Sequence, residues 1–318
     1  MRVSVIIPTF NRAALLARAV DSVLDQDWRP LELVIIDDGS SDETPSVLDA
    51  LGRKADEADV RLLAIRQPNK GDAGARNAGI DASTGDWIAF LDDDDTRRPG
   101  TLTAQLDAAG SAGVCCALVA KGDRAMPAAP RTLMTGNCAA AFLRGEMSCA
   151  ITSLLVRRDV AAATGRFDTS LPVGSDMEWI ARLAHYADFA ALPEIVADYN
   201  RTENALSRFS GLDQLIARDA HDLRVVGLIL ERCGGSPRFE HAAWSIFAAR
   251  TYDRCVKHLL YAGQIAEAAR LLQAGHKEGA DVDILRRTGR KVRHAKLLAL
   301  VGRRVRHPKF RDASDIQG

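Results

Sequence analysis

The strongest constraint on this chain is a run of four consecutive aspartates at residues 92–95, which directly follows the short apolar segment 87–91. A strand buried on both faces is a continuous apolar run, but unpaired charges are too costly to bury inside such a core. The aspartates are therefore expected at the carboxyl end of the strand, where open α/β sheets bind ligands. Carboxylate oxygens suit Mg²⁺ or Mn²⁺, so the run predicts a metal site that holds a diphosphate. For such a run in isolation, a solvated acidic loop is the alternative.

Apolar strand segments alternate with helical segments around this point. The predicted strands cover residues 3–7, 31–36, 60–65 and 87–91, and the predicted helices cover residues 13–24, 45–51 and 71–82. This alternation, at about 25 to 30 residues per unit, predicts a mainly parallel sheet with helices on both faces. A dinucleotide-binding domain is the alternative, but no G-x-G-x-x-G sequence follows the first strand.

The alternation weakens after Pro99, and the composition is helical throughout from about Leu212. Two more strands are predicted over residues 114–120 and 151–156, a helix over 176–186, and three long helices over 212–233, 240–262 and 264–274. These patterns divide the chain into an α/β domain, residues 1–210, and an all-helical C-terminal extension, residues 211–318. A chain of 318 residues is long enough for one large domain with such an appendage.

Cysteine usage and hydropathy argue against a disulfide-bonded secreted protein, a cysteine metal site and a membrane-spanning protein. The six cysteines form no C-x-x-C pair and no metal-ligand spacing, and no secretory signal precedes the first strand. We therefore expect reduced thiols in a cytoplasmic protein. No stretch approaches the roughly 18 uninterrupted apolar residues that indicate a membrane-spanning helix.

Five motifs follow one another along the first two thirds of the chain. They read PTFNR at residues 8–12, VIIDDGSSDET at 34–44, NKG with ARNAG at 69–79, FLDDDD at 90–95, and RRDV, TGRFD and GSDMEW between 157 and 179. In this order they closely resemble the family 2 glycosyltransferases of GT-A fold, over roughly residues 1–207. The resemblance implies a Rossmann-like sheet flanked by helices. It also implies an inverting transfer of sugar from a nucleotide-diphosphate donor, with UDP expected, to a hydroxyl group of a glycan or lipid-linked acceptor.

The resemblance also implies roles for individual residues. The D-x-D motif of the family falls on Asp92, Asp93 and Asp94. Asp94 is expected to be the direct ligand of Mn²⁺ or Mg²⁺ with Asp92 as a further metal ligand, and Asp92 or Asp93 is expected to lie nearer the ribose. Asp38 matches the aspartate that recognises the base. Nucleotide-sugar binding is implied for Pro8, Thr9, Asn11, Arg12, Asp38, Lys70, Arg76, Asp92 and Asp93. An alternative role for Arg76 is to brace the acidic run.

Asp176 matches the catalytic base of the family. Its task is to take the proton from an acceptor hydroxyl as that oxygen attacks the anomeric carbon of the sugar, in one in-line displacement that inverts the configuration. The alternative is that Asp176 caps a helix, because apolar residues follow it at helical spacing. The two roles are compatible, since a helix N-terminus keeps a carboxylate ionised.

One part of the family pattern is missing. The catalytic domain commonly ends in a segment like Tyr-Arg-x-His, whose histidine can complete the metal shell, but residues 199–207 of this chain contain no histidine. The third ligand is then water, Glu203 or nothing.

A basic tail follows the predicted helices. Residues 284–311 contain eleven Lys and Arg and no Asp or Glu, interleaved with leucine and valine, whereas residues 1–283 carry an excess of nine acidic side chains. A basic amphipathic helix fits an anionic membrane surface, which suits a peripheral enzyme with a lipid-linked acceptor at the inner face of a membrane. The alternative is a helix that packs on the acidic body or on a second subunit. Nucleic acid is not expected, because Phe310 is the one Phe, Tyr or Trp residue among these cations.

Two other functions compete with sugar transfer. A non-catalytic nucleotide-sugar-binding or scaffold protein of the same fold is consistent with the missing histidine. A nucleotidyltransferase would share the sheet and the metal chemistry, but it would want a glycine-rich basic loop after the first strand, and residues 8–12 do not provide one.

Overall fold

The computed structural model describes residues 1–129, 131–200 and 211–305. The chain divides into two compact units, Met1–Glu203 and Asn204–Gly318. The division expected from the sequence, after residue 210, falls slightly later, and the residues between the two positions lie outside the described part of the chain.

The first unit is built on a nine-stranded sheet. Its strands are β1 (Val3–Thr9), β2 (Leu31–Asp37), β3 (Val60–Arg66), β4 (Trp87–Phe90), β5 (Thr96–Arg97), β6 (Val114–Lys121), β7 (Arg124–Met126), β8 (Leu154–Arg157) and β9 (Phe189–Asp198). Its helices are α1 (Ala13–Leu24), α2 (Thr44–Glu57), α3 (Gly71–Ala82), α4 (Thr101–Ala109), α5 (Ala139–Arg144), α6 (Arg158–Thr164) and α7 (Ser175–Tyr186). The sequence pattern does not predict β5, β7 or β9, and the strand expected over residues 151–156 starts with a 3₁₀ turn, Ile151–Ser153.

The strand order is β3-β2-β1-β4-β8-β6-β9-β5, with β7 beside β6. The first four strands are parallel, as the alternating pattern predicts. Strand β8 runs antiparallel to both β4 and β6, and β6 is parallel to β9. The sheet is therefore mixed: its longer strand pairings are parallel, as expected, and shorter antiparallel pairings enter with β8, β5 and β7.

Helices cover both faces of the central strands. Alternate residues such as Ile7 and Ile35 pack on one face with α1, α2 and α4, whereas Ile6 and Val34 pack on the other with α3, α5, α6 and α7. Because neither face meets water, β1 and β2 are buried at every position. This explains why both strands read as continuous apolar runs rather than as alternating ones.

The register places the ends of the central strands side by side. Thr9 at the end of β1 lies opposite Asp37 at the end of β2, and Ile6 lies opposite Phe90 at the end of β4. The residues that follow these three strands therefore meet at one edge of the sheet, which is the edge that parallel α/β sheets use for ligands.

Helix α3 approaches β1 so closely that Gly79 leaves no space for a side chain, since an added Cβ would lie 2.3 Å from Cγ2 of Ile6. We expect Gly79→Ala to lower the free energy of unfolding by about 1 to 3 kcal/mol through overpacking. Gly52 of α2 is the matched control, because an added Cβ meets nothing within 4 Å. Gly52→Ala should raise stability by up to about 1 kcal/mol, the gain in helix propensity. Urea denaturation of both variants checks this, and equal effects would contradict the close packing of α3.

The described part of the second unit consists of α8 (Leu212–Cys233), α9 (His241–Tyr261), α10 (Ile265–Lys277) and α11 (Val282–Leu300). Helix α9 contacts the other three helices. Its fully buried Trp244 donates a hydrogen bond to the carbonyl oxygen of Val226 at 3.1 Å, and its Arg254 and His258 pair with Asp222 and Asp219 of α8. No helix in the described ranges has the length and apolar character that crossing a bilayer would require.

Helix α11 forms most of the described basic tail, and its apolar face is largely occupied. Leu285, Val292 and Ala295 are buried in the helical unit, where Val292 and Ala295 join the core formed with α9 and α10. These three residues therefore pack within the helical unit, as the alternative of a helix packed on protein allows for this part of the tail. Large apolar side chains are exposed only towards the end of the tail's described part: Leu297, Leu300 and Val301 are 63%, 82% and 70% exposed.

Candidate active site

The loops after β1 and β2 are joined through Asn11. Its side-chain oxygen accepts hydrogen bonds from the backbone N–H groups of Ser41 at 2.7 Å and Asp42 at 3.3 Å, and its own N–H donates to Ser40 Oγ at 2.9 Å. Asn11 has a φ of 55°, a left-handed conformation that asparagine tolerates better than most residues. The structure thus shows Asn11 holding two loops together at the edge where a nucleotide was expected.

Asp38 is buried and anchors the loop in front of α3. Its carboxylate accepts hydrogen bonds from the backbone N–H groups of Lys70 and Gly71 at 2.8–3.0 Å, and from Nε2 of Gln67 at 2.7 Å. The main chain of Lys70 therefore meets Asp38. The neighbouring Asp37 accepts a hydrogen bond from the N–H of Ser40 at 2.8 Å, which stabilises the turn after β2.

The four aspartates alternate in exposure. Asp93 and Asp95 are buried, whereas Asp92 and Asp94 are partly exposed. Each is held by a different set of partners. Asp93 accepts hydrogen bonds from Thr9 Oγ1 at 2.8 Å and Arg12 Nη1 at 2.9 Å, and Asp94 accepts one from the same Arg12 nitrogen at 3.2 Å. Asp92 and Asp94 are therefore accessible to solvent, whereas the buried Asp93 and Asp95 anchor the run.

Arg76 of α3 pairs with Asp92 at 2.7 Å, while its side chain is only 6% exposed. Burial lowers the pKa of Arg76, but the negative charges of Asp92, Asp72 and Asp176 outweigh it, so the pKa is raised overall. Arg76 thus braces the acidic run, as the alternative interpretation of the sequence proposed. Arg76 therefore interacts electrostatically with three carboxylates: Asp72 of α3, Asp176 of α7 and Asp92 after β4.

Burial changes the acidity of the inward-facing aspartates. It raises the pKa of Asp93 to about 6, against the hydrogen bonds from Thr9 and Arg12. It raises the pKa of Asp95 to about 8, helped by the charge of Asp92 and opposed by hydrogen bonds from the N–H of Asn200 and from Thr152 Oγ1. Of these two buried carboxyls, Asp95 therefore holds a proton more readily than Asp93.

Asp176 lies in the first turn of α7, and its Oδ1 accepts a hydrogen bond from the N–H of Met177 at 2.8 Å. The helix-capping position belongs to Gly174, which has a left-handed φ of 84°. The alternative of Asp176 as the cap residue is therefore wrong. Its place in the first turn still exposes it to the positive end of the helix dipole.

Three aromatic rings connect α7 to the strand that carries the acidic run. Trp179 stacks on Phe167 at 4.6 Å between ring centroids, and the ring of Phe90 meets both edge-on at 5.7 Å. Asn77 fixes Phe167 by donating to its carbonyl oxygen at 2.9 Å and accepting from its N–H at 2.8 Å. Sequence reasoning missed Asn77 as a positioning residue, although it lies beside Arg76 in the ARNAG motif.

Glu178, which follows Asp176 by two residues, takes no part in the exposed edge. It is fully buried, and its two carboxylate oxygens accept hydrogen bonds from Arg182 at 2.7 and 2.8 Å. Arg182 also donates to the carbonyl oxygen of Arg166 at 2.7 Å. Glu178 therefore orients Arg182, and Arg182 links α7 to the preceding loop.

Asp92 and Asp94 are the residues that fit a divalent cation. Among the described residues, no three His, Cys, Asp or Glu side chains are arranged as a metal-binding set. Mg²⁺ and similar ions commonly take one or two carboxylates and complete their shell with substrate phosphates and water. Two partly exposed carboxylates at one edge fit that requirement. Glu203, the alternative third ligand, lies outside the described residues.

Comparison with known proteins assigns the class. Residues 4–161 match the family model "Glycosyl transferase family 2". The chain is 32% identical over 236 residues to the succinoglycan biosynthesis protein ExoO of Rhizobium meliloti, which covers 69% of this chain and 66% of that protein. It is 38% identical over 108 residues to the GalNAc(5)-diNAcBac-PP-undecaprenol beta-1,3-glucosyltransferase of Campylobacter jejuni, about a third of each chain.

Solved structures agree on the fold. S. aureus TarS 1-349 in complex with UDP-GlcNAc matches with a TM-score of 0.61 at 15% identity, over 92% of each chain. The mannosyltransferase PcManGT from Pyrobaculum calidifontis, in complex with GDP-Man and Mn²⁺, matches with a TM-score of 0.59 at 18% identity, over 94% of this chain and 80% of that one. The fold is GT-A, and the chain belongs to the family 2 glycosyltransferases.

The raised pKa of Asp95 predicts a pH-dependent stability. Aspartate in an unfolded chain has a pKa of about 3.9, so the folded protein binds this proton more tightly. The resulting stabilisation is complete below about pH 4 and is lost as the pH rises through about 8. Asp95→Asn cannot titrate, so it should not lose this stabilisation as the pH rises. Between pH 5 and pH 8 the free energy of unfolding of the wild type should therefore fall by at least about 1 kcal/mol more than that of Asp95→Asn.

Urea denaturation in the presence of EDTA measures this difference. Asp107→Asn, which changes an exposed aspartate of α4, is the control and should leave the pH dependence as in the wild type. A difference between wild type and Asp95→Asn that stays constant across this range would contradict the raised pKa.

Proposed function

We propose that this protein is an inverting glycosyltransferase that moves a sugar from a nucleotide-diphosphate donor, UDP-linked, to a hydroxyl group of a glycan or lipid-linked acceptor. The observation that carries the proposal is the convergence of Asp92 and Asp176 on one buried cation, Arg76. A donor held at the first carboxylate would then lie near the second. The similar structures with UDP-GlcNAc and GDP-Man support the donor class, and the undecaprenol-linked name of the Campylobacter relative supports the acceptor class.

The donor would lie across the loops after β1 and β2. Pro8, Thr9 and Asn11 line the nucleotide pocket in this proposal, and Asp38 accepts a hydrogen bond from the base. Asp38 already holds the loop at Lys70 and Gly71, so it would position the base relative to a fixed backbone. The side chain of Lys70 is then available to the phosphates.

Arg12 is the side chain that would respond to the diphosphate. It is shared between Asp93 and Asp94, at 2.9 and 3.2 Å. A diphosphate competes for the same guanidinium, and contact with it would release Asp94 to act as a metal ligand. A divalent cation held by Asp92 and Asp94 would offset the negative charge that builds on the departing nucleoside diphosphate.

Asp176 is the proposed base. The acceptor oxygen bonds to the anomeric carbon from the face opposite the diphosphate, the bond to the diphosphate oxygen breaks, and the hydroxyl proton passes to the Asp176 carboxylate. The Asp176 carboxylate lies in the first turn of α7, and its charge acts on Arg76. We place the enzyme in the cytoplasm, with support from cysteines that are all free.

Removal of the proposed base should separate binding from catalysis. We expect Asp176→Asn to lower the rate of transfer by at least about 100-fold, because it removes the proton acceptor, while donor affinity measured by calorimetry stays within a few-fold. Asp188→Asn, which changes an exposed aspartate beyond the same helix, is the control and should retain activity. Near wild-type transfer by Asp176→Asn would make the base assignment wrong. Donor binding by the wild type without any transfer or donor hydrolysis would favour the non-catalytic alternative.

Removal of the proposed metal ligand should act on the metal-dependent part of donor binding. We expect Asp94→Ala to weaken UDP-sugar affinity by at least about tenfold with Mn²⁺ present, and to change it little in EDTA. Asp107→Ala on the exposed face of α4 provides the control. If Asp94→Ala binds donor as the wild type does in both conditions, Asp94 is not a metal ligand.

A further inference from the structure

The helical unit contains a pocket of about 270 Å³ between α9 and α11. Apolar groups form much of its wall, with Leu260 and Tyr261 from α9 and Val305 beyond the end of α11. Basic residues complete the lining: Lys257, Arg290, Lys291 and His294. An apolar cavity with a cationic rim matches an amphiphile that carries a negative charge at one end.

The cations at this rim are only partly neutralised. Lys257 and Lys291 share one carboxylate, Asp253, which Lys291 approaches at 3.4 Å and which also accepts a hydrogen bond from Thr288. Burial and the neighbouring Lys257 lower the pKa of Lys291, as expected where two ammonium groups lie close together. Among the residues that the structure describes, Arg290 and His294 have no carboxylate partner. The rim therefore has room for a further anion.

The face of α11 that lines the pocket continues into its exposed apolar end. Arg290, His294, Leu297 and Val301 follow at intervals of four, three and four residues, which places them along one side of the helix. Leu297 and Val301 are 63% and 70% exposed, although the opposite side of the helix is buried in the unit. The cationic rim and these side chains thus form one continuous surface.

We propose that this surface, defined by Lys257, Arg290, Lys291, Leu297 and Val301, binds the phosphate of an anionic membrane lipid. The phosphate lies at the cationic rim, the first carbons of the lipid chain enter the apolar pocket, and the leucine and valine enter the interface. This docking is independent of donor chemistry in the first unit. It replaces the general attraction of a basic tail with a defined site, and it would hold the enzyme at the surface where a lipid-linked acceptor is found.

Vesicle flotation tests the site. The full chain should float with vesicles of phosphatidylcholine mixed with phosphatidylglycerol and stay in solution with pure phosphatidylcholine. Arg290→Gln combined with Lys291→Gln should lower the partition coefficient by roughly 30-fold, the loss expected when two cations no longer meet anionic lipid. Leu297→Ser with Val301→Ser, at exposed positions, should also lower it. Circular dichroism and calorimetric donor binding verify that each variant is folded.

The matched control separates a site from diffuse attraction. Arg286→Gln with Arg287→Gln removes the same charge one turn earlier on α11, at exposed residues that do not line the pocket, and should cost no more than about threefold. Equal losses in the two double variants would overturn the pocket, because charge alone would then account for binding. Full binding by the Arg290/Lys291 variant would overturn it as well. Protection of the pocket by inorganic phosphate without vesicle binding would assign the rim to a soluble phosphate and overturn the membrane lipid.

Discussion

The neutralisation of three of the four adjacent aspartates by two arginines is the interaction on which the first unit depends. Asp93 and Asp95 are buried, and unpaired charges there would oppose folding. Arg12 holds Asp93 and Asp94, and Arg76 holds Asp92. Asp95 lacks such a cation in the described residues, and its pKa is raised to about 8. Partners within the protein therefore hold every member of the run, and Asp92 and Asp94 remain partly exposed.

Helix α3 positions one of these arginines, and three residues of its ARNAG motif make separate contacts that fix the helix. Arg76 reaches Asp92, Asn77 fixes the backbone of Phe167, and Gly79 lets the helix lie against Ile6 of β1. The stacked pair of Phe167 and Trp179 then links α7 to β4. A helix at another distance from the sheet would break all three contacts. The proposed donor and base residues are in this way connected by a few side chains with no chemistry of their own.

In the helical unit, one group of buried carboxylates is matched by cations, whereas a second group has more cations than carboxylates. Buried Asp219 and Asp222 are matched by His258 and Arg254 across α8 and α9, which leaves that interface paired. Where α9 meets α11, Asp253 is the one carboxylate among the described residues with which Lys257 and Lys291 pair. The contrast between a closed network and an open one, within a single group of helices, is the reason for assigning a ligand to the second location.

Sequence by itself determined the parallel half of the sheet, the position of the aspartates at a strand end and the family motifs. Local periodicity encodes which segments are buried and in which direction each strand ends, and those facts do not depend on distant neighbours. It did not reveal β9, the antiparallel β8 or the buried role of Glu178. Nor did it show which aspartates face outwards, or that Asp92 pairs with Arg76 while Asp93 and Asp94 pair with Arg12. Those pairings join residues far apart in the chain, so only the register of the strands and the packing of the helices could decide them.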